Sequence, residues 1–216
     1  MSKNASRRVL PRSSKKDGDG SEVPIAERLL VDNFLPHEQF TRLKEHLLGT
    51  GFPWFASLGH TFHQDSGLST KCSEEDWRLA HTIYDMNKGV VSPAGPSMME
   101  PFDDFMVALQ PAVLCRLKVN FDHKQAVAYE TEWHCDLPIG WPGDVTSYTG
   151  IFYMNTCNGY TQFESDGAPV KSEENRLLLF RTGLHHRGVT QTDAPRRVLV
   201  NVNFQLNALP YNAQRF

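Results

Sequence analysis

One short run of this chain gathers residue types that bind metals: Trp133-His134-Cys135-Asp136. An imidazole and a carboxylate two positions apart on an extended segment project to the same side, so both can ligate one ion. A third ligand is available far along the chain, in Leu184-His185-His186-Arg187-Gly188. Two histidines and one carboxylate on one face of a metal leave the opposite positions open, which is the donor set of non-haem iron(II) sites. The tripeptide alone is weak support, because nine histidines in 216 residues make an accidental H-x-D unsurprising, and His63-Gln64-Asp65 is a second one. That copy lies in a Gly-, Ser- and His-rich stretch with no strand to aim it. His37, His46, His60, His81 and His123 read as packed or solvated side chains.

Positioning such ligands requires a sheet, and the second half of the chain predicts one. From Val113 the residues alternate, with Leu117, Val119 and Phe121 on one side and Arg116, Lys118 and Asn120 on the other. Further strand-like runs are 126–133, 147–155, 160–164, 168–172, 176–181, 184–187 and 196–205, giving about eight short strands. Asp166-Gly167 and Pro142-Gly143-Asp144 supply turns between them. The first half predicts about three helices instead. Phe40, Leu43 and Leu47 line one face ahead of Gly49, placed where a helix end favours φ > 0. Ser73 and Asp76 form a capping-box pattern before Trp77, Ala80 and Tyr84, with Gly89 closing the segment. Pro101 suits a first turn, followed by Phe102, Phe105, Met106 and Leu109. Helices followed by many short strands argue for an α+β domain built on a sandwich or jelly roll.

Composition bounds the rest. At 40% hydrophobic and 22% charged, the chain has enough apolar mass for one sizeable core. The expected organisation is a disordered basic tail over 1–22, a helical cap over 23–112 and a β core over 113–216, the last two forming one globular domain over 23–216. The net charge is −3, and with the tail basic the body is more acidic still, so a nucleic-acid partner is not expected. No apolar run is long enough to span a membrane, and the first residues lack the apolar stretch of a secretory signal. A cytoplasmic setting is expected, with organelle or nuclear targeting by the basic tail as the alternative. Cys72, Cys115, Cys135 and Cys157 contain no C-x-x-C pair, so reduced thiols are expected rather than disulfides or a thiolate zinc site.

Arg197 closes the set of candidate residues. In the run from Arg197 to Phe204, Arg197, Leu199, Asn201 and Asn203 share one face while Val198, Val200, Val202 and Phe204 form an apolar one. An H-x-D, about fifty residues of short strands, a distal histidine, and then an arginine opening a strand together resemble the 2-oxoglutarate- and iron(II)-dependent dioxygenases. The likeness is to their prolyl 4-hydroxylase-like branch, through Ile151-Phe152-Tyr153-Met154-Asn155, Gly159-Tyr160-Thr161-Gln162-Phe163 and His186-Arg187-Gly188-Val189. It covers Val113 to Gln205, and extends upstream more weakly through Val31-Asp32-Asn33-Phe34 and Phe52-Pro53-Trp54.

That resemblance implies a double-stranded β-helix (a jelly roll) holding Fe(II) by His134, Asp136 and a distal histidine. His186 is favoured over His185, because it starts an H-x-G and lies eleven residues before Arg197. The guanidinium fork of Arg197 suits the distal carboxylate of 2-oxoglutarate, with Tyr153 reaching the same group. Asn201 and Asn120 are further pocket linings, with Thr161 behind them. The implied reaction consumes O2, decarboxylates 2-oxoglutarate to succinate and hydroxylates a C–H bond, with ascorbate as a reductant. The carboxylate at Asp136 points away from halogenation, since halogenating relatives lack it. The implied substrate is a small metabolite, an amino acid or a prolyl residue of a peptide, selected by loops such as 137–148 and 59–71. Two rival readings remain: a non-catalytic β-helix module that binds a ligand or protein, and a cupin-like metalloenzyme that does not use 2-oxoglutarate.

Overall fold

The computed structural model describes residues 28–58, 77–136 and 147–206. The basic tail, the His63-Gln64-Asp65 copy, Cys72 and the greater part of both expected specificity loops lie outside the described residues.

The strand pattern read from Val113 onward is largely what forms. The strands of this half are β5 (Val113–His123), β6 (Ser147–Tyr153), β7 (Tyr160–Phe163), β8 (Pro169–Lys171), β9 (Arg176–Arg181), β10 (His186–Val189) and β11 (Arg196–Gln205). They are preceded by β1 (Arg28–Val31), α1 (His37–Leu48), β2 (Phe55–Leu58), β3 (Trp77–Asp85) and β4 (Gly89–Val90). A 3-10 turn (Pro96–Phe102) then runs into α2 (Asp103–Leu109). One eight-stranded sheet has the order β1-β9-β6-β11-β5-β3-β2, with β4 on β3, and a three-stranded sheet has the order β10-β7-β8. Every pairing is antiparallel. The architecture is the α+β double-stranded β-helix.

Two apolar layers hold it. On the outer face of the large sheet, Val198, Val200, Val202 and Phe204 of β11 meet Phe40, Leu43 and Leu47 of α1 and Phe105 and Leu109 of α2. Phe152 of β6 stacks on Phe105 with ring centroids 5.1 Å apart. Between the sheets a smaller cluster joins Ile151, Tyr153, Leu178, Phe180 and Leu199 to Phe163. The pocket described below opens beside that second cluster. No helix among the described residues is long and apolar enough to cross a membrane.

Four local expectations are corrected. The helix expected over 73–89 is absent among the described residues: β3 occupies Trp77–Asp85 and pairs with β5. Its true period is two, with His81 and Ile83 buried on the core side. His81 disguises this, because a polar type there reads as exposed. Its Nδ1 instead lies 2.8 Å from the Pro53 carbonyl and its Nε2 2.9 Å from the Ser92 hydroxyl, so it packs as a core residue. Gly49 is extended (φ −70°), not left-handed. Glycine is required there by closeness, since a Cβ would sit 2.7 Å from the Glu45 carbonyl oxygen. Finally, 126–133 forms no strand, only isolated bridges at Glu130 and His134, and the expected strand 184–187 is shifted to His186–Val189.

Asn175 fastens the N-terminal segment to the sheet. It sits at φ 59°, accepts the Leu35 N–H on Oδ1 at 3.0 Å and donates from Nδ2 to the Leu35 carbonyl at 2.8 Å, both bonds buried. Alanine would orphan both groups and strain the left-handed backbone, so Asn175→Ala should cost roughly 2–4 kcal/mol. Urea unfolding checks this, and a loss below the scatter of surface substitutions would contradict it.

Candidate metal centre

β10 and the extended segment before Asp136 run side by side. The two residues His134 and His186 exchange both main-chain hydrogen bonds, at 3.0 and 2.9 Å, so their side chains leave the same face. Their ring centroids are 4.5 Å apart. Asp136, two residues further, brings Oδ2 to 3.8 Å from His186 Nε2. The potential ligand atoms of His134, Asp136 and His186 lie within 4.8 Å of one another, and no other such trio occurs among the described residues. His134 Nδ1 donates to the Glu132 carbonyl at 2.9 Å and His186 Nδ1 to the Leu184 carbonyl at 3.0 Å, which puts the lone pair of each ring on Nε2. Phe180 meets the His186 ring edge-on at 4.6 Å, and His186 is only 3% exposed. His185 points the other way, with its side chain 48% exposed and 2.9 Å from Glu164.

Burial alone would favour a neutral Asp136. That effect is outweighed by the His186 imidazole, the Arg116 guanidinium, His134 and a hydrogen bond from Asn201, which together hold the carboxyl well below the usual carboxylate range. Arg116 reaches Oδ1 at 3.2 Å and Asn201 Nδ2 reaches Oδ2 at 3.2 Å. The site thus brings two imidazole nitrogens and one carboxylate oxygen together, a donor set that suits a divalent transition metal.

The floor behind the trio is polar because three strands turn their polar faces to it. In register across β3, β5 and β11 stand Thr82, Lys118 and Asn201, and one row further Ala80, Asn120 and Leu199. Asp122 of β5 joins Arg78 of β3 at 2.7 Å and lies 3.5 Å from Arg197 of β11. Arg197 is 3% exposed; its Nε donates to Ser172 Oγ at 2.7 Å, and its NH2 lies 3.4 Å from Thr161 Oγ1. The Tyr153 hydroxyl donates to the same Thr161 oxygen at 2.8 Å, and its ring lies 5.7 Å from the guanidinium. Burial pushes the Tyr153 phenol up, so it stays a donor. Gly159 makes room for this arrangement, as a Cβ there would approach Arg197 Cδ to 3.0 Å.

One pocket therefore collects His134, His186, Arg197, Asn201, Asn120 and Thr161. Tyr153 touches it through Thr161, while Arg196 is exposed and donates to the Leu48 carbonyl instead. Sequence reasoning missed Asp122, Arg78 and Ser172. Asp122 was readable as the next member of the Arg116, Lys118, Asn120 alternation. Arg78 was hidden by the helical reading of its segment, and nothing local marks Ser172.

No family model matches the chain, and no curated protein matches it. Solved structures do. A 2OG-Fe(II) oxygenase family oxidoreductase from Burkholderia pseudomallei aligns with TM-score 0.57 at 11% identity, over 84% of this chain and 86% of that one. The non-heme alpha ketoglutarate dependent epimerase SnoN from nogalamycin biosynthesis aligns with TM-score 0.56 at 11% identity, over 83% and 76%. A Trichoplax adhaerens prolyl hydroxylase in complex with a peptide fragment of hypoxia inducible factor aligns with TM-score 0.51 at 15% identity, over 83% and 84%. At these identities the likeness establishes the fold, which is that of the 2OG-Fe(II) oxygenases.

Lys118 stands in the middle of the polar floor. Burial, then repulsion from Arg78 and Arg116, pushes its ammonium down to about 8, against partial support from Asp136 and Asp122. The unfolded chain keeps that proton to near 10.5, so between these values it is the unfolded state that binds the extra proton, and stability rises with pH. The gain should approach roughly 3 kcal/mol across the window. Lys118→Met should lack this rise, read as the difference between the two proteins in urea titrations at stepped pH. Parallel pH profiles would contradict the assignment.

Proposed function

We propose that the protein is an Fe(II)- and 2-oxoglutarate-dependent dioxygenase that hydroxylates a small-molecule or peptide substrate. The observation that carries this reading is the conjunction of the trio His134, Asp136 and His186 with a buried arginine in the same pocket. His134 and His186 would offer Nε2, and Asp136 one oxygen kept anionic by its neighbours. Arg197, with Thr161 and Tyr153 behind it, would hold the distal carboxylate of 2-oxoglutarate, and Asn201 and Asn120 would line the path between. Three of these groups fit their roles on independent grounds. The carbonyl oxygens of Asn120 and Asn201 are buried and lack hydrogen-bond partners in the structure, as expected of a site awaiting a polar ligand. The contacts of Arg197 to Asp122 and Thr161 are long, at 3.5 and 3.4 Å, so its fork has capacity for a carboxylate.

When bound, iron(II) and 2-oxoglutarate supply the coupling of oxidative decarboxylation to oxygen insertion into a C–H bond. This chain's own part is geometry and the exclusion of water. The main-chain carbonyls of Glu132 and Leu184 fix the two imidazoles, Asn201 and Arg116 fix the carboxylate, and Phe180 and Phe163 dry the far side of His186. Support from relatives is of the same kind: SnoN, similar at TM-score 0.55, was solved in complex with Fe3+, alpha ketoglutarate and nogalamycin RO, while the prolyl hydroxylase holds a peptide. The buried thiols of Cys115 and Cys157 suit a reducing compartment, and the proposed setting is the cytoplasm.

The test is an anaerobic titration of iron(II) and 2-oxoglutarate into the protein, followed by oxygen and succinate quantification. A visible charge-transfer band that decays with succinate release is expected. Metal binding without the band would favour a cupin-like enzyme, and binding of neither would leave a ligand-binding module. Alanine at His134, Asp136 or His186 should abolish the band with the melting temperature retained, whereas His185→Ala should keep it. Arg197→Lys should weaken 2-oxoglutarate about tenfold or more and Arg196→Lys hardly at all, because only the fork pairs with both carboxylate oxygens. The reverse ranking would overturn the role given to Arg197.

A further inference from the structure

The polar floor carries more positive charge than the proposed co-substrate uses. Among the described residues, Arg78 and Arg197 line the pocket, and Arg116 and Lys118 stand beside it on the same face of β5, against the carboxylates of Asp122 and Asp136. Iron(II) and the 2-oxoglutarate dianion neutralise each other, so their arrival leaves the excess of two positive charges standing. Asp85, opposite Arg116 at the end of the β3–β5 pair, accepts the Asn87 N–H and makes no ion pair with any of these cations. The excess is concentrated at Lys118. Arg78 is spoken for by Asp122 at 2.7 Å, and Arg116 by Asp136 at 3.2 Å and Asn203 at 2.9 Å. Lys118 has no hydrogen-bond partner among the described residues.

Its place is also informative. Lys118 is directly opposite Asn201, whose amide holds Asp136. Directly opposed side chains start about 5 Å apart, so the lysine stem rises beside Asn201, near enough to Asp136 for the two charges to interact. Arg197 and Ser172 lie toward the other end of β11, on the far side of Leu199 and Asn120. The two cationic positions are thus separated along the strand, one for each of two ligands. A half-buried lysine without a partner is destabilising, and a purely structural position would not favour it.

We infer that Lys118, flanked by Arg78 and Arg116, forms a substrate subsite for an anionic group, so that the molecule oxidised is a small carboxylate-bearing compound rather than a neutral one. This rests on the proposed oxygenase reading for what happens to the molecule, but not for its binding. The stem of Lys118 would place the carboxylate beside the trio, with Thr82 and Asn201 on either side as hydrogen-bonding neighbours. The remainder of the substrate would then lie over the metal's open positions.

The probe is benzoate, with benzamide as its neutral twin, titrated calorimetrically into protein loaded anaerobically with iron(II) and saturating 2-oxoglutarate, and again into metal-free protein. Benzoate should bind the loaded protein about tenfold or more tighter than benzamide. Lys118→Met should erase that preference, Lys118→Arg should keep it, and both should retain wild-type affinity for 2-oxoglutarate. Melting curves at pH 7 should show Lys118→Met folded and more stable than wild type, since it removes a buried unpaired charge. A preference for benzoate that survives Lys118→Met overturns the proposal, as does equal binding of the two probes. Weakened 2-oxoglutarate in Lys118→Met also overturns it, by moving Lys118 into the co-substrate site. If wild type binds neither iron nor 2-oxoglutarate, yet the metal-free protein keeps a Lys118-dependent preference for benzoate, the anion subsite stands and the oxygenase reading falls.

Discussion

The alternation of β11 is the constraint on which the rest of the structure depends. The eight residues from Arg197 to Phe204 are all buried, so both faces of the strand are committed. Val198, Val200, Val202 and Phe204 are driven against the helices by the hydrophobic effect, and this fixes where Arg197, Leu199, Asn201 and Asn203 must point. A slip of one residue would drive a guanidinium and two amides into an apolar layer and expose four large apolar side chains. The apolar face is therefore what aims the polar one. The same holds for β5, whose Leu117 and Val119 join the core while Arg116, Lys118, Asn120 and Asp122 share the opposite face, the last two lining the pocket.

The pocket so formed is expensive for the fold. Two carboxylates and four cations are drawn in from water, and ion pairing offsets only part of the desolvation. The structure limits the cost by making each charge serve two neighbours. Asp122 stands between Arg78 and Arg197, and Asp136 accepts from Arg116 and Asn201 while facing His186. Asn203 continues the chain, accepting from Arg116 and donating to Thr149. Among the groups left over, the Lys118 ammonium and the carbonyl oxygens of Asn120 and Asn201 stand in adjoining rows of β5 and β11. Unsatisfied groups adjoining one another beside a pocket mark a site shaped for a ligand rather than for stability.

The two sheets divide the labour. The large sheet, backed by α1 and α2, supplies the rigid polar floor. The small sheet supplies one histidine through β10, and the segment before Asp136 supplies the other and the carboxylate by bridging to it. Neither sheet holds the trio alone. Because His134 and His186 exchange main-chain hydrogen bonds, the separation of their rings is set by backbone pairing rather than by side-chain packing. Such a spacing tolerates changes in the surrounding loops, which lets specificity vary without moving the centre.

The sequence by itself determined the faces of β5 and β11, the strand boundaries from Arg176 to Arg181 and Arg196 to Gln205, and the side-by-side projection of His134 and Asp136. Period-two alternation and i, i+2 spacing are local properties, fixed by the pleat before any long-range contact forms. Where the local signal was ambiguous the reading failed. The β3 segment satisfied a helical spacing at Trp77, Ala80 and Tyr84, and its strand identity comes from pairing with β5, a partner more than thirty residues away. The bridge between His134 and His186, the turning of His185 toward Glu164, and the meeting of Arg78, Asp122 and Arg197 were likewise decided only by tertiary structure. Each depends on strands distant in sequence coming into register, and that register is set by the burial of whole faces, which no single stretch of residues encodes.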